Sequence, residues 1–401
     1  MSGFKGKKIL FGVTGSIAAF KTAGWVHSLT KEDAMVTVVM TKAATRFVTD
    51  LTFSALSGNQ VHVEMFATDP KQAMAHITLS ADADIILIAP ATAHTIARLA
   101  HGFADDLLSA SVLAAPGKQV VLCPAMNSNM YAHRATQDNL NRLREYGYVI
   151  VEPDSGKLAC GDEGPGRLPE WGRVRERLLY CLNRHDLQEH HVLITAGPTR
   201  EDIDPARYLS NRSSGKMGYA LARTARRRGA NVTLVTGPVA LEPPEGVEVV
   251  PVLSAREMFD AVMQLRDKVS VIVKAAAVAD FRPAKCGDQK IKKAGAADHI
   301  DLVLNQDILA ELGKSKTAGQ FLVGFAAESE NHLQEGTRKL KEKNLDLIVI
   351  NDIAGENTGF DVDTNQVTLL DKDGSTSVPL LSKEETADRI WDRIVEILQK
   401  D

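Results

Sequence analysis

The sequence predicts an α/β protein built from two doubly wound parallel-sheet domains. Three observations carry this. Short apolar runs of strand length alternate with segments of helix length. The pattern lapses once, in the polar stretch Arg184 to His191, and then restarts. The chain has 401 residues, more than a single ordinary core accommodates. We expect the boundary at residues 190/191, with domains 1–190 and 191–401.

In the first half, Lys8 to Val13 is a buried strand, and Gly15-Ser16 turns into a helix beginning near Ile17. Strands follow at Met35 to Met40, Asp84 to Ala89, Gln119 to Cys123 and Tyr148 to Val151. Gly172 to Asn183 is an amphipathic helix. In the second half, His191 to Thr195 repeats the opening strand and ends in the turn Ala196-Gly197-Pro198. Ala230 to Thr236 and Val269 to Val273 echo earlier strands; Leu345 to Ile350 and Gln366 to Leu370 add more. Glu384 to Leu398 closes the chain as a helix with Ala387, Ile390, Trp391, Ile394 and Leu398 on one face. Two separate modules of one common fold explain this better than a duplication.

Composition narrows the function. A net charge of −4 gives no reason to expect nucleic acid. No apolar run reaches the roughly 18 residues of a membrane span. The basic start, Met1 to Lys8, leads into a strand interrupted by Gly12, Thr14, Gly15 and Ser16, not into a signal peptide. The cysteines Cys123, Cys160, Cys181 and Cys286 have no metal-site spacing. A reducing cytoplasm is therefore the expected location.

Parallel sheets bind ligands at the carboxyl ends of their strands. Four such turns in the first half are small or hydroxyl-rich: Gly12 to Ala19, Thr41 to Ala44, Pro90 to Ala93 and Pro124 to Asn127. Gly15 and Ser16 before a helix suit a phosphate, although the segment is not G-x-G-x-x-G and a plain helix start explains it equally well. Taken together, Gly15-Ser-Ile-Ala-Ala19, Pro90-Ala-Thr92, Asp106-Leu-Leu-Ser109 and Pro124-Ala-Met-Asn-Ser-Asn-Met130 resemble the flavin-dependent cysteine decarboxylase family, over residues 5 to 180.

The resemblance implies a homo-oligomeric, flavodoxin-like flavoprotein with FMN held near Gly15, Ser16, Thr41, Thr92 and Ser109. It makes His76 the base during thiol oxidation and Asn127 the holder of the substrate carboxylate. Cys160, in Leu158-Ala-Cys-Gly-Asp-Glu-Gly-Pro-Gly-Arg167, becomes the proton donor on a mobile loop. A lone histidine or cysteine is more often structural; the company of the motifs reverses that. The chemistry needs an electron sink. Oxidation of the thiol to a thioaldehyde lets sulfur accept the charge left by departing carbon dioxide. One departure from the family pattern is Asp105, where asparagine is usual. An extra carboxylate there is expected to alter FMN affinity without abolishing activity.

The second half carries Ser213-Ser-Gly-Lys-Met-Gly218 at the start of a helix running to Arg228, which suits a triphosphate. It is not a Walker A motif. Thr236-Gly-Pro238 stands where a dinucleotide site would need an acidic residue, which argues against NAD. With Ile194 to Glu201, Tyr208 to Gly218, Lys274 to Pro283, Lys290 to Lys293 and Val323 to Glu328, this half resembles the phosphopantothenate–cysteine ligase family over residues 190 to 398.

That resemblance implies a Rossmann-like ligase using CTP and Mg2+, with metal ligands unassigned. Lys290 would promote acyl-cytidylate formation, and Asn211 would hold that intermediate for attack by cysteine. CTP contacts would come from Ser213, Gly215, Lys274, Ala275, Ala276, Asp280, Lys290, Asn305, Gln306, Asp307, Ile308, Phe325, Lys339 and Lys343. Lysine runs alone are usually solvated faces. Gln306 replaces a proline of the family and frees the local backbone. The fused order implies consecutive steps of coenzyme A biosynthesis, from 4'-phosphopantothenate and cysteine through phosphopantothenoylcysteine to 4'-phosphopantetheine. Trimer-based decarboxylases and dimeric ligases would together be satisfied by a dodecamer. The alternatives are a two-domain nicotinamide oxidoreductase and a non-enzymatic flavoprotein.

Overall fold

A computed structural model describes residues 3–66, 74–115, 117–158, 161–292, 299–328, 332–352 and 362–400. The chain forms two compact units, residues 1–183 and 184–401.

The first unit runs β1 (Lys8–Val13), α1 (Ala19–Lys31), β2 (Met35–Met40), α2 (Asp50–Ser57), α3 (Ala75–Asp82), β3 (Ile85–Ala91), α4 (Ala93–His101), α5 (Leu107–Leu113), β4 (Gln119–Pro124), α6 (Ser128–Ala132), α7 (Arg134–Glu145), β5 (Val149–Ile150), β6 (Asp154–Lys157), β7 (Glu163–Arg167) and α8 (Trp171–Leu182). Its sheet has the order β2-β1-β3-β4-β5, and every pair is parallel. Ile9, Phe11 and Leu87 face α1 and α8 through Val26, Leu29, Val174 and Leu178. Leu10, Ile86 and Leu122 face α4, α5 and α7 through Ile96, Leu108 and Leu140. Covering both faces explains why β3 is apolar and buried along its whole length. The order reverses between β1 and β3, which opens a crevice at their carboxyl ends.

The second unit runs β8 (His191–Ala196), β9 (Arg200–Asp204), β10 (Arg207–Ser210), α9 (Lys216–Arg227), β11 (Asn231–Thr236), β12 (Glu248–Pro251), α10 (Ala255–Leu265), β13 (Val271–Lys274), β14 (Phe281–Pro283), β15 (Leu302–Leu304), α11 (Ile308–Lys314), β16 (Phe321–Glu328), α12 (His332–Glu342), β17 (Leu347–Asp352), β18 (Thr364–Asp371), β19 (Gly374–Ser382) and α13 (Lys383–Leu398). The sheet order is β12-β11-β8-β13-β16-β17-β18-β19. Its first six strands repeat the dinucleotide-fold order, with the switch point between β8 and β13. Val192, Val273, Val323 and Val349 meet α9 and α13 through Tyr219, Leu221, Ile390 and Trp391. Leu193, Ile272 and Ile348 meet α10 and α11 through Met258, Val262 and Leu309.

Both units thus have the doubly wound α/β architecture read from the sequence. Several details differ. Strand β18 pairs antiparallel with both β17 and β19, and a tight turn at Lys372-Asp373 joins it to β19. Helix α1 starts at Ala19, since the Ser16 N–H first closes a turn onto the Thr14 carbonyl. Residues 163–167, expected in a loop, pair as β7 with β6. The polar segment 184–190 packs on the second unit. The Leu187 N–H donates to the Arg228 carbonyl at 3.1 Å. The buried Arg228 guanidinium donates to Asp186 at 2.8 and 2.5 Å and to Asp392 at 2.9 Å.

Candidate active sites

In the first unit, buried Thr14 ties the switch point together. Its hydroxyl donates to the Pro90 carbonyl at 2.5 Å and accepts from the Thr92 N–H at 3.1 Å. Gly15 follows, so close to the next turn that a β-carbon there would lie 2.5 Å from that of Ala43. Ser16 accepts from the Ala18 N–H at 3.4 Å. A cleft of about 370 Å3 opens beside this turn, lined by Ser16, Ile17 and Phe20 on one side and by Ala125, Asn127 and Leu168 on the other.

The β6–β7 hairpin borders that cleft. The Met126 N–H donates to the Gly166 carbonyl at 2.9 Å. Gly166 has φ 140°, and a β-carbon on it would sit 2.2 Å from the Met126 carbonyl oxygen. Asn127 caps α6, accepting from the Asn129 N–H at 2.9 Å, while its Nδ2 donates to Asp162 at 2.9 Å. Cys160, between Leu158 and Asp162, lies outside the described residues.

The other expected residues fall elsewhere. Among the described residues, His76, Thr41, Thr92 and Ser109 are not in the lining of this cleft. His76 is half-buried on α3, flanked by exposed Met74 and Ile77. Thr41 accepts from the Ala44 N–H at 3.3 Å, and Thr92 caps α4. Ser109 is buried, and its hydroxyl donates to Asp106 at 2.7 Å within a capping box. Asp105 is paired with Arg98 at 2.8 Å, and Arg98 also pairs with Asp106. The additional carboxylate is therefore met by a guanidinium.

In the second unit, a cavity of about 450 Å3 lies across the carboxyl ends of the parallel strands. Its lining gathers Asn211, Ser213, Gly215, Lys274, Ala275, Ala276, Asp280, Phe325 and Lys339 from the expected set. Gly215 is the N-cap of α9 with φ 75°, a conformation that favours glycine. It leaves the first N–H groups of α9 directed at the cavity edge. Asn211 Nδ2 donates to the Val278 carbonyl at 2.9 Å, joining the end of β10 to the loop after β13. Thr195 and Thr199 fix that loop, accepting from the N–H groups of Ala276 at 3.2 Å and Ala279 at 3.0 Å.

Lys274 is half-buried and donates to the Ala276 carbonyl at 3.0 Å. Burial pulls its pKa down to about 8, against the opposing pull of Asp307. Asn305, Asp307 and Lys343 support the site from behind. Asn305 Nδ2 donates to the Ala279 carbonyl at 2.9 Å. Asp307 caps α11 and accepts from Lys343 Nζ at 2.7 Å. Burial works against the Asp307 carboxylate, but Lys343 outweighs it and its pKa falls. Ile308 is buried in the core. Gln306 and Lys290 are exposed and, among the described residues, outside the cavity lining. The next residue, Ile291, is anchored to the β9–β10 hairpin. Its N–H donates to buried Asp204 at 3.1 Å, and its carbonyl accepts from Arg207 at 3.1 Å.

Lys216 and Met217 of the expected helix-start motif line the cavity too, and it also has walls that the sequence did not reveal: Asn351, Asn365 and Lys383. Among the described residues, no cluster of His, Cys, Asp or Glu is placed to hold a metal ion, and no helix is long and apolar enough to cross a membrane.

Residues 3–181 match the family described as Flavoprotein. Residues 187–398 match the family described as DNA/pantothenate metabolism flavoprotein C-terminal domain. Among solved structures, the C-terminal domain of a coenzyme A biosynthesis bifunctional protein CoaBC is 45% identical, covering 54% of this chain and 100% of that one, with a TM-score of 0.47. The FMN-dependent cysteine decarboxylase SpaF is 32% identical, covering 44% of this chain and 95% of that one, with a TM-score of 0.38. The coenzyme A biosynthesis bifunctional protein CoaBC of Haemophilus influenzae is 46% identical over 396 residues, 98% of each chain. Its counterpart in Bacillus subtilis is 43% identical over 400 residues, 98% of this chain and 97% of that one. This likeness runs the length of both units, and the chain belongs to the family of coenzyme A biosynthesis bifunctional proteins.

Proposed function

We propose that the chain catalyses two consecutive steps of coenzyme A biosynthesis. The second unit joins cysteine to 4'-phosphopantothenate using CTP. The first unit decarboxylates the resulting phosphopantothenoylcysteine to 4'-phosphopantetheine using FMN. The observation that carries this reading is the convergence of Asn211, Ser213, Lys274, Asp280 and Lys339 on one cavity at a sheet switch point.

A carboxylate is a poor electrophile. In the ligation, the phosphopantothenate carboxylate attacks the α-phosphorus of CTP and pyrophosphate leaves. The cysteine amine then attacks the acyl carbon and CMP leaves. These anions repel one another, so cations must hold them together. Lys274 and Lys339 line the cavity, the N–H groups of α9 suit phosphate oxygens, and Lys290 would approach from the neighbouring loop. Asn211 would orient the acyl-cytidylate. Mg2+ would arrive with the triphosphate and offset its charge.

The first-unit cleft fits FMN by its own chemistry. Ile17, Phe20, Ala125 and Leu168 offer apolar walls for a flat ring system, and Ser16 at the start of α1 offers polar contacts for a phosphate. FMN supplies the reversible two-electron oxidation that makes the carboxyl group labile. Asn127 would bind the substrate carboxylate, exchanging it for Asp162, and Cys160 would return a proton. His76 would serve as base in thiol oxidation. It lies beside Met74 and Ile77, on a surface that assembly would cover.

Homo-oligomerisation fits the exposed apolar side chains of both units, including Phe20, Phe66 and Leu113 in the first and Phe281, Leu302 and Leu304 in the second. A dodecamer would satisfy trimeric and dimeric contacts together. A cytoplasmic setting keeps the thiols reduced. The test is direct. Purified chain should turn yellow with FMN, release pyrophosphate from CTP only when 4'-phosphopantothenate and Mg2+ are present, and release CMP only when cysteine is present as well. A chain that takes up no flavin and leaves CTP intact would overturn the assignment.

A further inference from the structure

Lys290 is exposed on a loop and stands outside the cavity lining. Its ammonium serves the reaction only if that loop is held in a fixed place, because rates fall steeply when a reacting group is misplaced. The hold comes from the β9–β10 hairpin. The Gly287 N–H donates to the Ile203 carbonyl at 2.9 Å. The Ile291 N–H donates to Asp204 Oδ2 at 3.1 Å, and the Ile291 carbonyl accepts from Arg207 Nη2 at 3.1 Å. Lys290 is thus bracketed on both sides by bonds to one end of the hairpin.

Asp204 carries more than its own turn requires. Its side chain is fully buried. Oδ1 accepts from the N–H groups of Ala206 at 2.8 Å and Arg207 at 3.0 Å, which closes the turn at Pro205-Ala206. An asparagine could do that much. Oδ2 takes the Arg207 guanidinium, with Nε at 3.0 Å, together with the N–H of Ile291, 87 residues further along the chain. The hydrogen bond from Arg207 does most to hold the carboxyl well below the usual carboxylate range, so it is ionised at neutral pH. At its other end the hairpin leads to the cavity. Ser210 closes β10, and its hydroxyl donates to the Thr199 carbonyl at 2.7 Å. Asn211 follows and lines the cavity. One hairpin therefore carries Asn211 at one end and the Lys290 loop at the other.

We propose that Asp204 is a positioning residue for the ligase: its carboxylate, through Ile291 and Arg207, pins the Lys290 loop where the acyl-cytidylate forms. The inference rests on the role proposed for Lys290. Asp204 is itself outside the cavity lining. Its loss should slow the step that Lys290 serves and spare the step that Asn211 serves.

The test uses the full chain with Mg2+, CTP and 4'-phosphopantothenate. Initial pyrophosphate release without cysteine reports cytidylate formation; cysteine is then added and amide formation is timed. Asp204→Ala should slow the first step about tenfold or more, with KM for CTP and the rate of the second step within about twofold of wild type. Trypsin should cut its Lys290–Ile291 bond about tenfold faster, because the released Ile291 opens locally. Asp204→Asn keeps an oxygen for the Ile291 N–H and should recover part of both the rate and the protection. If Asp204→Ala does not fold, Asp204→Asn decides, by a smaller loss confined to the first step. Wild-type cleavage, wild-type cytidylate formation, or an equal loss in both steps overturns the proposal. Lys290→Gln separates the two readings. If it forms cytidylate at the wild-type rate, the role of Lys290 falls and this inference with it. A slow Lys290→Gln beside an unimpaired Asp204→Ala overturns this inference alone.

Discussion

Asn127 Nδ2 donates to the Asp162 carboxylate at 2.9 Å, joining the turn after β4 to the hairpin segment that follows Cys160. The same amide oxygen is held by the Asn129 N–H, so the donor end is aimed at the hairpin and the cleft. Asn127→Asp would set two carboxylates against each other and a third on the substrate. We expect kcat/KM for phosphopantothenoylcysteine to fall about a hundredfold or more, with FMN retained. Carbon dioxide release and the flavin spectrum check this.

Gly166→Ala tests the docking of the hairpin. The added methyl would meet the Met126 carbonyl oxygen at 2.2 Å, and backbone cannot yield as a flexible side chain does. A cost of about 1–3 kcal/mol is expected from overpacking and strain. Flavin fluorescence titration should show weaker binding and decarboxylation should be lost, while CTP-dependent pyrophosphate release persists.

Asp105 and Asp106 should behave differently although both meet Arg98. Asp105 is exposed, caps nothing and has its charge met by Arg98, so, against the expectation from the sequence, Asp105→Asn should leave thermal stability and FMN affinity nearly unchanged. Asp106 caps α5 and accepts from both the N–H and the hydroxyl of Ser109 at 2.7 Å. Asp106→Ala should cost about 0.5–2 kcal/mol, visible in thermal denaturation.

Lys274 loses its proton near pH 8 because burial disfavours the ammonium. A bound triphosphate favours the charged form, so nucleotide binding between pH 8 and 9 should take up a proton. Calorimetry in buffers of different ionisation enthalpy measures this directly, and Lys274→Met should abolish it. The folded pKa lies below the unfolded one, so the unfolded chain binds more protons between pH 8 and about 10.4, and this group's contribution to stability rises with pH there.

The parallel strands were legible because burial on two faces demands uninterrupted apolar runs, as in Ile85 to Ala89. The hairpin Arg200–Asp204 with Arg207–Ser210 was not, since its residues are mostly polar and half-exposed. Its pairing rests on backbone hydrogen bonds and on Asp204, which gathers Arg207 and the N–H groups of Ala206 and Ile291. The glycine-rich stretch 163–167 looked like a loop because positive-φ glycines serve close backbone approach as well as turns. In the sites, motif residues such as Asn211, Ser213 and Lys274 were legible from local sequence. Asn351 and Asn365 were not. Each sits at a strand end beside other polar residues, Asp352 in one case and Thr364 and Gln366 in the other, with no motif to mark it, and only the order of the sheet brings both to the cavity.

In the proposed sequence of reactions, one chain makes an amide and then removes the carboxyl group it has just installed. Cysteine labelled in its carboxyl carbon follows that carbon through both units. With CTP, Mg2+, FMN and 4'-phosphopantothenate, the label should emerge as carbon dioxide, and omitting CTP or 4'-phosphopantothenate should stop its release. Label released from free cysteine without CTP, or retained in phosphopantothenoylcysteine by the complete mixture, would contradict the account.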